Sequence, residues 1–135
     1  MSEYSIDEQL EAATSVYPLE AAKILRANLP DELNGVPSRS WFAQRFTFQY
    51  EDLLEFLKDS PDIRQRAINR SLETRAGRSA YVVPLEDDTY EVGHFDGARE
   101  DVVRHTDEAA AVTDYVLAFW GLPRRNYTPK RSRAP

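Results

Sequence analysis

The sequence predicts an α+β domain in which N-terminal helices pack with a three-stranded antiparallel meander and a C-terminal helix. Three observations lead there. Residues up to about Gly77 repeat their apolar positions at helical spacing, residues 80–105 alternate with turn signals between the runs, and residues 107–121 return to helical spacing. At 135 residues the chain has the length of one domain, without internal repeats. A domain of that size buries roughly 65–70% of the surface its unfolded chain exposes, enough to stand without disulfides or metal.

The elements follow in order. Ser5-Ile6-Asp7-Glu8 is a capping box that opens a first helix running to about Ser15. Pro18 fits the first position of a second helix, with Leu19, Ala22, Ile24, Leu25 and Leu29 at helical spacing until Pro30. Asp31 to Ser40, with Asn34-Gly35 and Pro37, reads as loop. Ser40 to Phe48 fits two patterns: Phe42, Phe46 and Phe48 alternate as in a strand, while Trp41, Arg45 and Phe48 share a helical face. The preferred reading is extended or irregular chain, capped into the next helix at Thr47. Leu53, Leu54, Phe56 and Leu57 then define a helix that ends before Ser60-Pro61. Ser60 caps the following helix, which carries Ile63, Ala67, Ile68 and Leu72 and closes at Gly77.

Ala80 to Leu85 is a strand, Glu86-Asp87-Asp88 a turn, and Thr89 to Phe95 a second strand. That second strand places Tyr90, Val92 and His94 on one face and Glu91, Gly93 and Phe95 on the other. Asp96-Gly97 turns the chain into a short third strand, Asp101 to His105. Pro84 belongs near an edge or bulge, since it has no N–H for a ladder. Thr106 or Asp107 caps the last helix, which reads through Ala109, Val112, Tyr115, Val116 and Phe119 to Gly121. Leu122 to Pro135, rich in proline and cations, reads as a mostly disordered tail, so the domain is assigned to residues 1–123 and a basic tail to 124–135.

Most chemistries lack their parts. Without cysteine there is no thiolate nucleophile, disulfide, iron–sulfur cluster or thiolate zinc site, and a reducing compartment is favoured. The acidic start, Met1 to Leu10, has no apolar segment of a signal peptide, and no run reaches the eighteen or so apolar residues that cross a bilayer. The expectation is a cytoplasmic protein with no membrane association. Its five glycines form neither a dinucleotide-binding nor a phosphate-cradling loop, and no serine or threonine sits in a nucleophile elbow. His94 and His105 fall on neighbouring strands, and Asp96 or Asp107 could join them around a metal; the spacing fixes no such set, and two ordinary histidines are the simpler account. Paired acids at a β-turn are usually turn formers, not acid/base catalysts. No enzyme activity, cofactor or metal is expected.

Binding is better supplied. The net charge of −6 is unevenly spread: Arg124, Arg125, Lys130, Arg131 and Arg133 lie in the tail, so residues 1–123 hold 12 basic against 23 acidic residues, or −11. A body with that charge repels phosphate and attracts basic surfaces. The acids concentrate in the meander, where Glu86, Asp87, Asp88, Glu91, Asp96, Glu100 and Asp101 interleave with Tyr90 and Phe95. These nine residues are the expected contact set for a protein partner, the aromatics supplying anchor area and the carboxylates steering encounter. The plainer account of the same residues is a solvated sheet face. A second candidate is the helix from Pro61, whose Arg64, Arg66, Arg70, Arg75 and Arg78 oppose only Asp62 and Glu73. With the helix before it, this resembles a helix-turn-helix with a basic second helix, which would take nucleic acid. Arginines on the wet face of a bundle helix, paired with neighbouring acids, are the plainer account.

Tyr81-Val82-Val83, the hairpin ending Tyr90-Glu91-Val92-Gly93, the strand around Val102-Val103-Arg104 and the helix opening Thr106-Asp107-Glu108-Ala109-Ala110 form a recurring pattern. Ser79 to Gly121, about a third of the chain, is in this respect similar to the closing module of small bacterial immunity proteins that neutralise polymorphic or contact-dependent toxins. The resemblance implies a non-catalytic antitoxin-type inhibitor that covers a basic toxin or nuclease. A phage-encoded inhibitor that imitates nucleic-acid charge has the same composition. The competing expectations are a small nucleic-acid-binding or regulatory protein and an adaptor domain of a larger assembly.

Overall fold

A computed structural model describes residues 4–25, 38–73, 79–95 and 99–124, without the side chains of residues 79, 99 and 100. Six helices and one sheet occur among them: α1 (Ile6–Thr14), α2 (Pro18–Leu25), α3 (Arg39–Ala43), α4 (Tyr50–Lys58), α5 (Pro61–Glu73), β1 (Ser79–Pro84), β2 (Tyr90–Phe95), β3 (Arg99–His105) and α6 (Glu108–Trp120). The α+β architecture read from the sequence is therefore present. The expected helix between Leu25 and Pro30, the loop to Pro37, the Gly77 cap, the Asp96-Gly97 turn and the chain beyond Arg124 fall on residues outside the description.

Local chemistry sets the helix starts. Ser5 and Glu8 close the capping box, with Glu8 N–H donating to Ser5 Oγ at 3.1 Å and Ser5 N–H to Glu8 Oε1 at 3.0 Å. Val16 then turns the chain between α1 and α2 at φ 44, a left-handed geometry that costs a β-branched residue about 1–3 kcal/mol. Its side chain is buried, so packing offsets part of that strain. Pro18 opens α2 and Pro61 opens α5, where the Ser60 carbonyl accepts the Arg64 N–H at 3.0 Å.

The Ser40–Phe48 region differs in part from the extended or irregular chain expected. Its first half is α3, with Ser38 Oγ accepting the Trp41 N–H at 3.3 Å. Only residues 44–49 are irregular. A helical turn brings Phe42 and Phe46 to one side, where both rings meet Trp120 with centroids 5.0 and 5.4 Å away. This tertiary contact outweighs the two-residue alternation that suggested a strand. Thr47 does not cap α4. Its N–H and that of Phe48 donate to Oε1 of the fully buried Gln9, at 2.5 and 3.2 Å, and Gln49 takes the cap position, its N–H donating to Asp52 Oδ2 at 2.7 Å.

The sheet runs β1-β2-β3, antiparallel throughout, with Val82 opposite Val92 and Val92 opposite Val103. A bulge interrupts the β2–β3 register at Gly93, and Asp101 opposite it adopts φ 56. On the outer edge of β1, Ser71 of α5 accepts the Val82 N–H at 2.7 Å and donates to the Val82 carbonyl at 3.0 Å. One hydroxyl thus satisfies both strand-edge groups of that residue and shields the edge from pairing. Pro84 lies at the end of this edge strand, as its missing N–H requires.

α6 crosses one face of the sheet and contacts α4, α5 and α3 on its other sides. It is buried nearly all round, consistent with a central helix rather than a surface one. Asp107 caps it through the Ala110 N–H at 2.9 Å, and Trp120 Nε1 donates to the Ala13 carbonyl at 2.8 Å, joining the end of α6 to the end of α1.

Candidate protein-docking site

A chain of hydrogen bonds gathers four elements at one end of the molecule. Tyr90 at the start of β2 donates its hydroxyl to Glu108 Oε2 at 3.0 Å. The other carboxylate oxygen of Glu108, in the first turn of α6, accepts Arg64 Nε of α5 at 2.8 Å. Arg64 Nη1 in turn donates to the Leu57 and Lys58 carbonyls at the end of α4, at 2.7 and 3.1 Å. Burial, reinforced by the hydrogen bond to and charge of Glu108, pushes the Tyr90 hydroxyl above its ordinary pKa, so it stays a neutral donor.

The β1–β2 turn lies just beyond Tyr90 at this end, and Glu86, Asp87 and Asp88 are all exposed on it. The turn is well held: Leu85 N–H donates to the Thr89 carbonyl at 2.8 Å, and Asp88 takes φ 65. The Thr89 hydroxyl donates to Asp87 Oδ1, and this bond lowers the Asp87 pKa against the small opposing effect of desolvation. The same end carries exposed Asp107 at the α6 cap and exposed Asp59 and Asp62 at the α4–α5 corner. Arg64 is already committed to Glu108. A basic surface approaching this end meets six exposed carboxylates on three elements, with Lys58 and Arg104 as the nearby exposed cations.

The nine residues expected from the meander do not form one face. Glu86, Asp87, Asp88 and Tyr90 share the end just described. Glu91 lies on the sheet face away from α6 and is buried, accepting the Tyr81 hydroxyl at 2.7 Å. Phe95 is 40% exposed, but it ends β2 about 17 Å along the strand from Tyr90. Asp101 sits half-buried at the bulge, its Oδ2 3.7 Å from His94 Nδ1. Asp96 and the side chain of Glu100 lie outside the described residues. Strand alternation and the bulge divide what looked continuous in the sequence.

The arginines of α5 divide too. Arg64 is tied inward, Arg70 sits half-buried with its guanidinium 4.8 Å from the centre of the Tyr17 ring, and Arg66 is exposed. Arg75 and Arg78 lie outside the described residues. His105 and His94 each face an aspartate: His105 Nε2 is 2.8 Å from Asp114 Oδ2, and both side chains are buried. Among the described residues no three potential metal ligands come together, and no helix is long and apolar enough to cross a membrane.

Sequence reasoning missed two features. Asp59 and Asp62 were not grouped with the turn, because only the fold brings the α4–α5 corner beside the hairpin. Arg124 was read as part of the tail, yet its side chain is 4% exposed and donates Nε and Nη2 to the two Asp114 oxygens. The sole sequence cue was an aspartate at position 114 within an otherwise apolar helix, which demands a partner when buried.

No family model, curated protein or solved structure matches the chain.

Proposed function

We propose that this chain is a non-catalytic inhibitor of the immunity or antitoxin type, which docks a basic toxin or nuclease domain against its acidic end. The observation that carries the reading is the exposed Glu86-Asp87-Asp88 turn, ordered by its own hydrogen bonds and flanked by Asp59, Asp62 and Asp107. Exposed carboxylates that outnumber the nearby Lys58 and Arg104 are available to arginines and lysines of a partner and accelerate its approach. Relative to the sequence reading, the contact set shifts: Glu91 is engaged on the far face, and the α4–α5 corner joins the surface. Nucleic acid is a less natural partner, since two of the three described α5 arginines are held by the chain's own residues.

The test is a pull-down from native cells with two baits, the wild-type chain and the Glu86→Lys, Asp87→Lys, Asp88→Lys variant. The reading expects a protein of high isoelectric point on the first bait and its loss from the second. Retention of the same protein by both baits would move the interface elsewhere, and capture of nucleic acid alone would replace the reading.

A further inference from the structure

The four residues after α6 are built as a strap. Gly121 leaves the helix at φ 76, a left-handed geometry that glycine adopts without strain, and an added Cβ would meet nothing within 4 Å. The N–H groups of Gly121 and Leu122 return to the Ala118 and Leu117 carbonyls at 3.2 and 2.8 Å. Leu122 and Pro123 then pass over the surface, and Arg124 turns inward to grip Asp114, with Nη1 donating to the Asp101 carbonyl at 3.2 Å. A cleft of about 350 Å³ lies on each side of this segment. One is walled by His94 and Asp101 with Ala118 beneath; the other by Phe46, Phe48 and Tyr50 with Leu117 beneath. Leu122, Pro123 and Arg124 line both.

We infer that residues 121–124 are a hinged strap latched by Asp114, and that its release joins the two clefts into one groove floored by Leu117 and Ala118. The hinge is Gly121, the latch is the Arg124–Asp114 pair backed by His105, and the moving part is Leu122-Pro123. Sequestering one charged partner from water makes such a pair all-or-none: either both groups are satisfied in place or the segment leaves as a unit. On the sheet-side wall, His94 Nδ1 stands 3.7 Å from Asp101 Oδ2. The inference stands apart from the docking proposal, which concerns the other end of the sheet.

Two readouts test it. Amide exchange at Leu122 reports the strap, and Val116 inside α6 reports the fold. The chain has no cysteine, so Ala118→Cys gives a single thiol on the groove floor for timed labelling. Asp114→Asn should speed Leu122 exchange and thiol labelling by about tenfold or more beyond any change that lowered global stability brings at Val116. Arg124→Lys, which keeps the charge but not the two-point grip, should act in the same direction with a smaller factor, and serves if Asp114→Asn does not fold. Equal acceleration of Leu122 and Val116 would mean loss of the whole fold rather than strap opening, and unchanged rates in both variants would mean no latch; either result overturns the inference.

Discussion

Carboxylates occupy two contrasting settings in this molecule. At the β1–β2 turn, Glu86, Asp87 and Asp88 stand in water, held by a threonine hydroxyl and by turn geometry. In the middle of α6, Asp114 is buried against His105 and Arg124. The same functional group is proposed for recognition in the first setting and serves cohesion in the second. Exposed charges in high dielectric cost little to keep and little to lose, whereas a buried carboxylate is tolerable only while its partners remain. Function is thus best sought where the fold does not depend on the charge.

The largest expected effect is at the buried site. Asp114→Ala leaves Arg124 without its counter-ion and should lower unfolding free energy by about 3–5 kcal/mol, read as a reduced urea midpoint. Removal of the aromatic that ties α6 to α1 and α3, Trp120→Ala, should cost about as much, 3–5 kcal/mol. An Asp114→Ala midpoint close to wild type would erase the contrast between the two settings.

An intermediate effect is expected with pH. Burial alone would raise the Asp114 pKa, but the hydrogen bonds from His105 and Arg124 outweigh it and hold the group below its ordinary value of 3.8. The folded pKa is therefore lower than the unfolded one. The linked stability is present above about 3.8 and is lost as pH falls through the folded value. Wild-type thermal midpoints should drop more steeply below that pH than those of Asp114→Asn, which lacks the linkage. Parallel curves would remove Asp114 as the responsible group.

Smaller effects should follow at the sheet. Tyr81→Phe removes the hydroxyl that donates to buried Glu91 and should cost about 1–3 kcal/mol. Reversing Glu86, Asp87 and Asp88 to lysine should change stability by no more than about 0.5 kcal/mol per site, because these side chains are exposed. A large loss of stability there would make the turn a structural element and weaken its reading as a docking surface.

Much of the fold was legible because local signals agreed with the global one. The Ser5–Glu8 box, Pro18, Pro61, the Asp107 cap and Gly121 each mark a boundary that the structure keeps. Residues 40–48 were harder to read, since two periodicities fit and the choice was made by Trp120, which lies far along the chain. Thr47 looked like a cap, but the buried side-chain amide of Gln9 claims its backbone. The candidate site was legible at the turn. The alternation that puts Glu91 on the opposite face from Tyr90 was legible, but the bulge at Gly93 that places Asp101 beside His94 was not. The contribution of the α4–α5 corner depends on Arg64 reaching Glu108, a long-range pairing that composition does not encode.

The central claim is that the acidic turn recognises a basic protein without holding the fold together. Its most direct test is a calorimetric titration of the captured basic partner with wild-type chain and with the triple lysine variant, at low and at moderate salt. The account predicts an affinity for wild type that weakens with salt and a loss of about a hundredfold or more for the variant. Equal affinity of the two chains, with no salt dependence, would contradict it.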